Sequence, residues 1–364
     1  MRLDYGEPGR GTFTDHIKRL GNGAVMTVRT PELQAISALL DGLDDAGVRL
    51  LIDDADQVGI GIGGTTKTVR LGNSTVFVKQ LPLTSIEAAD PTATTSRLQL
   101  PFVSHYGIGS PTHAVGRELA AHQLTSEWVH AGAADFFPLL LGWRVIDSKC
   151  AADLSEFDGD ACPRQWGPHW PQVQSKLAAM KGASQSMVFF LEYVPETLGA
   201  WLRRSLVQGT GATVFPAAVD QLLTATAWMN SQGFQHFDVH PGNILIRDGR
   251  LLFTDFGLAL HPDFDLTAEE EAAMLTHDGF DRDTGLMHLF HWTLFELGYT
   301  SGPQRLELLD AAAADPATPA LDPVRAALGD GADLMAHYAS IAVDMTEMFN
   351  VLLQDALATR YRHP

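Results

Sequence analysis

The chain has 364 residues, a formal net charge of −19, 45% hydrophobic residues and a mean hydropathy of zero. Such a chain can bury a large core, and its length allows two or three domains. The charge leaves no basic stripe to displace counterions, which argues against a nucleic-acid partner. No apolar run is long enough to span a bilayer, and the first residues, Met1 to Gly6, lack the basic and apolar regions of a signal peptide, so a cytoplasmic protein with no membrane partner is expected. Cys150 and Cys162 are the only cysteines; with no second pair and no clustered His, they read as free thiols rather than a zinc site.

In chain order, residues 1–50 predict one helix, 31–43, and carry no chemistry. Gly59-Ile60-Gly61-Ile62-Gly63-Gly64 contains G-x-G-x-x-G, which alone is a flexible loop or the dinucleotide fingerprint that opens a helix. The glycines lead instead into a strand pair, 66–71 and 75–80 around Gly72-Asn73, and this argues against the dinucleotide form; the second strand ends near Lys79. A helix is expected over 114–130, where Val115, Leu119, Ala121 and His122 recur with helical period around Glu118; Glu127 and Glu87 are further acidic candidates nearby. The stretch 147–186, with both cysteines, Trp166, Pro168, Trp170 and Pro171, reads as irregular. An apolar strand then runs into Glu192-Tyr193-Val194, Pro195 breaks it, and a helix begins near Thr197. A longer helix, 217–232, carries Leu222, Leu223, Ala227 and Met229 and stops at Gly233.

The stretch from His236 to Gly257, H-F-D-V-H-P-G-N-I-L-I-R-D-G-R-L-L-F-T-D-F-G, concentrates the chemistry. Singly, Asp-Phe-Gly is a turn and His-x-Asp a solvated loop. Together they are more, because the apolar runs 244–246 and 251–254 flank Asp248-Gly249, a primed hairpin signal that brings Asn243 and Asp255 to neighbouring strand ends. Phosphoryl transfer needs one carboxylate to orient and deprotonate an incoming hydroxyl, and oxygen ligands to hold Mg²⁺ on the nucleotide's phosphates. Asp238 fits the first role, Asn243 and Asp255 the second.

These motifs, with H-x-D-x-x-x-x-N and D-F-G complete, resemble the protein-kinase-like superfamily, and the resemblance covers roughly residues 50–300. The resemblance implies an α+β, two-lobed fold with a small antiparallel-sheet N-lobe and a mainly helical C-lobe. Its expected divisions are an extension at 1–50, an N-lobe at 51–194 with insertions at 81–110 and 147–186, and a C-lobe at 195–364. It further implies that ATP lies under Gly59, Gly61 and Gly64, with its phosphates gripped by Lys79 and that lysine held by Glu118. Adenine would be held by the Glu192 carbonyl and Val194 amide in front of Leu191, and the ribose by Glu196. Departures point toward the aminoglycoside and choline phosphotransferase branch: Phe237 precedes Asp238, His240 and Pro241-Gly242 replace the usual lysine region, and no A-P-E comes after Gly257. Leu258-Ala259 and the E-Y-V hinge instead look like protein kinases, including atypical bacterial Ser/Thr kinases. The expected function is an ATP- and Mg²⁺-dependent O-phosphotransferase whose partner is a small hydroxyl compound or a Ser/Thr side chain; the alternative is a non-catalytic nucleotide-binding pseudokinase scaffold.

Beyond Gly257, Asp263, Asp265, Glu269, Glu270, Glu271, Asp278, Asp281 and Asp283 face only Arg282, and read either as a wall attracting a cationic acceptor or as a solvated helix face. Residues 310–323, rich in Ala and Pro, predict a loop. Leu334, Tyr338, Ile341, Met345, Met348 and Leu352 then mark an amphipathic helix.

Overall fold

The computed structural model describes residues 23–98, 100–107 and 114–362, with side chains from residue 31 onward. A five-stranded antiparallel sheet forms one lobe, from β1 (Asp56–Gly61), β2 (Gly64–Leu71), β3 (Ser74–Leu83), β4 (Leu140–Ile146) and β5 (Gln185–Glu192), in the order β1-β2-β3-β5-β4. Two helices precede it, α1 (Gly23–Asp41) and α2 (Asp45–Asp53). The predicted helix at 31–43 is therefore the second half of α1, and it leans on the edge strand: Ile36 and Leu40 are buried and the Ser37 hydroxyl donates to the Leu141 carbonyl at 2.5 Å.

Helix α3 (Val115–His130) lies against the sheet, with Val115 and Leu119 packed on Leu81, Leu83, Met187, Phe189 and Leu191. Each such side chain stabilises by about 1.5–3 kcal/mol when fully buried. That packing fixes which face of α3 meets β3, and so where Glu118 points.

The stretch 147–186 is not irregular. It forms a short helix, Cys162–Trp166, and α4 (Trp170–Lys181). Pro163 and Pro171 stand in the first turns, where a missing N–H removes no helical hydrogen bond, so these prolines start helices rather than break them. α4 is tied to the segment after β3 by the buried pair Lys176–Glu87 at 3.0 Å.

The second lobe begins with β6 (Glu196–Thr197) and α5 (Leu198–Val207), which Thr197 caps by accepting from the Ala200 amide. α6 (Gly211–Ser231) comes next, then the hairpin of β7 (Ile244–Arg247) and β8 (Arg250–Phe253), which completes a sheet in the order β6-β7-β8. α7 (Ala268–Met274), α8 (Phe280–Glu296), α9 (Gly302–Ala314), α10 (Asp322–Leu328), α11 (Gly331–His337) and α12 (Ala339–Gln354) finish the chain. The predicted loop at 310–323 is helical through Ala314, because its alanines carry the highest helix propensity. The predicted C-terminal helix is two helices divided at Tyr338, with Met345, Met348 and Leu352 buried on the second. Small antiparallel sheet and large helical lobe together make a two-lobed, protein-kinase-like α+β fold. Among the described residues no helix is long and apolar enough to cross a membrane.

Candidate active site

The β7–β8 hairpin turns through Asp248 (φ 50°) and Gly249 (φ 76°), the two successive positive values of a primed turn. At its open end the Thr254 amide donates to the Asn243 carbonyl at 3.0 Å, so Asn243 and Asp255 leave the hairpin side by side. Asp255 (φ 65°) and Phe237 (φ 64°) both adopt the left-handed conformation, which costs a non-glycine residue about 1–2 kcal/mol. Around Phe237 the strain is held by Asp281 of α8, whose two carboxylate oxygens accept from the His236 and Phe237 amides, each at 2.7 Å. Burial pushes the Asp281 carboxyl up to about 6 against the pull of those amides.

His236 orders the same loop. Its Nε2 faces the Thr254 carbonyl at 3.1 Å and its Nδ1 accepts from the Asp238 amide at 3.3 Å. One donor and one acceptor define the neutral ring, and burial depresses its pKa to about 4. Phe256 packs between His236 and His122, with ring centroids 5.3 and 4.7 Å away.

Asp255 then meets Lys79 from β3, Nζ to Oδ1 at 2.8 Å, while the same ammonium meets Glu118 of α3 at 2.5 Å. Burial lowers the lysine, but Asp255 and Glu118 together hold it above its ordinary value. Asp255 is only partly buried, and although that desolvation opposes it Lys79 depresses the carboxyl to about 2, whereas burial raises Glu118 to about 7 despite Lys79. Asn243 donates Nδ2 to Asp238 Oδ2 at 2.8 Å. Its amide oxygen remains as an acceptor beside the Asp255 carboxylate, whose side chain is 41% exposed. Two hard oxygen donors on one wall suit Mg²⁺. Asp238 is pushed up by burial, with His240 pulling it down from 3.8 Å.

Of these groups Lys79, Asn243 and Asp255 border a cavity of about 330 Å³ between the lobes, lined also by Val58, Thr66, Leu191, Glu192 and Val194 among others. Glu192 ends β5, and its carboxylate is tied to Arg247 at 2.7 Å. Among the described residues no backbone group accepts from the Val194 amide. Gly59, Gly61 and Gly64 form the β1–β2 hairpin, whose flanking Val58 and Thr66 reach the cavity while the glycines do not. Gly64 (φ 136°) is required by packing, since a Cβ there would lie 2.1 Å from the Gln80 carbonyl. The hairpin is also tied to the segment after β4: the Asp153 amide donates to the Gly61 carbonyl at 2.9 Å and the Thr65 hydroxyl to the Ala151 carbonyl at 2.9 Å. Both cysteines are free. Glu196 does not face the cavity; its carboxylate is held by Arg204 at 2.6 and 2.9 Å, and Thr197 lines the wall instead. Glu87, the other acidic candidate near α3, is taken by Lys176.

Several residues of the site carry no signal in the sequence. His122 lines the cavity one helical turn from Glu118, is fully buried, and has no hydrogen-bond partner on either ring nitrogen among the described residues; Glu118 Oε2 is likewise without one. The described residues between β3 and α3 reach the other lobe. Their 3-10 turn, Phe102–Tyr106, sets Phe102 against Phe237, Tyr106 OH 2.9 Å from His277 Nε2, and His105 Nδ1 2.8 Å from the Leu258 carbonyl. Gly107 (φ 89°) comes next, so close that a Cβ there would lie 3.1 Å from Asp238 Oδ1.

The acidic run divides. Glu270 is buried on Arg117, Asp281 serves the loop amides, and Asp283 is buried on Arg282 and the Tyr361 hydroxyl; Asp263, Glu269, Glu271 and Asp278 stay exposed. It is not one wall, and its buried members are structural.

No family model matches the chain. It is similar to the maternal embryonic leucine zipper kinase of Danio rerio, 28% identical over 161 residues, 40% of this chain and 22% of that protein. It is also similar to mitogen-activated protein kinase kinase kinase 20 of Arabidopsis thaliana, 25% identical over 134 residues, 36% of this chain and 39% of that protein. The matches thus span well under half of these relatives. Weak and partial as it is, the similarity agrees with the fold in supporting a protein-kinase-like superfamily.

Proposed function

We propose that the protein is an ATP- and Mg²⁺-dependent O-phosphotransferase. The observation that carries this reading is that Lys79, Asn243 and Asp255 line one interlobe cavity while Glu118 is bonded to Lys79 and Asp238 to Asn243. The Glu192 carbonyl and Val194 amide hold adenine, and the β1–β2 hairpin covers the phosphates. Lys79, fixed by Glu118, neutralises phosphate charge at a preorganised position. Asn243 and Asp255 would hold Mg²⁺, which when bound supplies further neutralisation of that charge. Asp238 accepts the proton of the acceptor hydroxyl as its oxygen bonds to the γ-phosphorus; the bond from that phosphorus to the β–γ bridging oxygen breaks and ADP leaves. A raised pKa suits a base that must also give the proton up.

The acceptor is a hydroxyl compound, and a compact one is favoured over an extended peptide. Gly107 flanks Asp238 and His105 already occupies the Leu258 carbonyl, so the chain covers part of the surface beside its own catalytic loop. The test is transfer from γ-labelled ATP to pooled small hydroxyl compounds and, separately, to Ser/Thr peptide arrays. Label in a small-molecule pool, lost in Asp238→Ala, supports the reading; label confined to peptides reverses the acceptor assignment, and nucleotide binding without transfer to any pool favours the scaffold.

A further inference from the structure

Arg117 stands next to Glu118 on α3 and is 1% exposed. Its guanidinium forms a fork with Glu270 of α7, Nη1 to Oε1 at 2.7 Å and Nη2 to Oε2 at 3.0 Å. The remaining donors are used as well: Nε reaches the Thr94 carbonyl at 2.6 Å and Nη2 the Asp265 carbonyl at 3.3 Å. Glu270 also faces His105 Nε2 at 3.1 Å and accepts from the Thr267 amide at 2.8 Å. One buried carboxylate thus gathers α3, the crossing segment and the stretch beyond Asp255. Although burial opposes it, hydrogen bonds from His105 and Arg117 hold this carboxyl well below the ordinary carboxylate range, so it is ionised.

The consequence lies on the neighbouring residue. Arg117 is pinned by the large lobe and Glu118 holds Lys79, so the docking of α3 and the place of the ammonium are set together. We propose that Glu270 is a positioning residue for the nucleotide site: through Arg117 it seats α3, and through Glu118 it aims Lys79. The proposal rests on the phosphotransferase reading of that site. In switched enzymes an added phosphoryl group opposite an arginine can order such a segment. Here an encoded carboxylate fills that place with both oxygens engaged. The position before Asp238 offers no second cation either, since Phe237 is buried against Phe102, His105 and Phe280. The site is therefore assembled without covalent modification.

The test is a double-mutant cycle read by calorimetry of MgATP binding to the full chain. Glu270→Gln weakens MgATP about tenfold, as expected for a residue that couples at a distance. Lys79→Met weakens it as well, and Glu270→Gln added to Lys79→Met has no further effect, because Glu270 acts through that lysine. Should Glu270→Gln fail to fold, the apolar pair Arg117→Met with Glu270→Leu seats the helix without charge and retains MgATP affinity within about threefold. Independent, additive losses in the cycle would overturn the proposal, as would a folded apolar pair that no longer binds MgATP. So would a wild-type chain that loses affinity on phosphatase treatment. An untreated wild-type chain that binds no MgATP would overturn the phosphotransferase reading and this inference with it, and that failure shows before any variant is made.

Discussion

The two faces of the interlobe cleft are built differently. On the face proposed for the nucleotide, Lys79, Glu118, Asp255 and Asn243 come from β3, α3 and the two ends of the β7–β8 hairpin, and each is aimed by backbone structure that the local sequence already encodes. On the face proposed for the acceptor, Asp238 is bounded by Gly107 and by a segment anchored through His105 and Tyr106. One face rests on strand ends and a turn. The other rests on long-range contacts between residues that are unremarkable in the sequence. The difference suggests that changes on the nucleotide face alter binding, whereas changes on the acceptor face alter turnover alone.

The largest expected effect is on the nucleotide face. Lys79→Met removes a preorganised charge, and turnover should fall by about a hundredfold or more, with weaker MgATP binding. Turnover that survived intact would detach Lys79 from the chemistry. Next is Gly107→Val, which places a side chain against Asp238 at a backbone angle that strains it. Turnover should fall about tenfold or more, as small misplacements at a reacting group do, while MgATP affinity stays constant. Loss of both together would show that the faces are not separable.

A pH profile sharpens the same division. Burial raises the Asp238 carboxyl above its ordinary value, so the active, ionised base is lost as pH falls through that raised value. The acid limb of kcat should lie above the ordinary aspartate range near pH 3.9. MgATP binding, which needs Asp255 ionised, should persist to lower pH, because Lys79 holds Asp255 down near 2. Limbs that coincided would contradict this. The smallest effect is at Glu196, whose carboxylate is held by Arg204 away from the cavity: Glu196→Ala should leave the ATP KM within about twofold, the usual reach of a surface ion pair.

The meeting of Lys79, Glu118, Asn243 and Asp255 was legible because its signals are local. Asp248-Gly249 between apolar runs places Asn243 beside Asp255, and the period of Val115 and Leu119 turns Glu118 toward the sheet. The direction of Glu196 was not legible, because a residue at this position has two directions open and only the position of Arg204 decides between them. The contacts around Asp238 and the seat of α3 were not legible. Arg117 and Glu270 are 153 residues apart, and His105 and Leu258 equally far. Glu270 and Asp281 looked like members of a solvated acidic run until the fold buried them on specific donors. Pro171 misled for a related reason, since a proline that opens a helix and one that ends it differ only in the residues on its C-terminal side.

The separation of base from metal ligand is the most direct test of the account. MgATP binding should be measured by calorimetry for the wild type, Asp238→Ala and Asp255→Ala, beside transfer from labelled ATP to an acceptor found in the pools. The account predicts that Asp238→Ala abolishes transfer with MgATP affinity nearly unchanged, while Asp255→Ala loses both and its residual ATP binding no longer depends on Mg²⁺. Equal loss of MgATP affinity in the two variants, or transfer that survives Asp238→Ala, would contradict it.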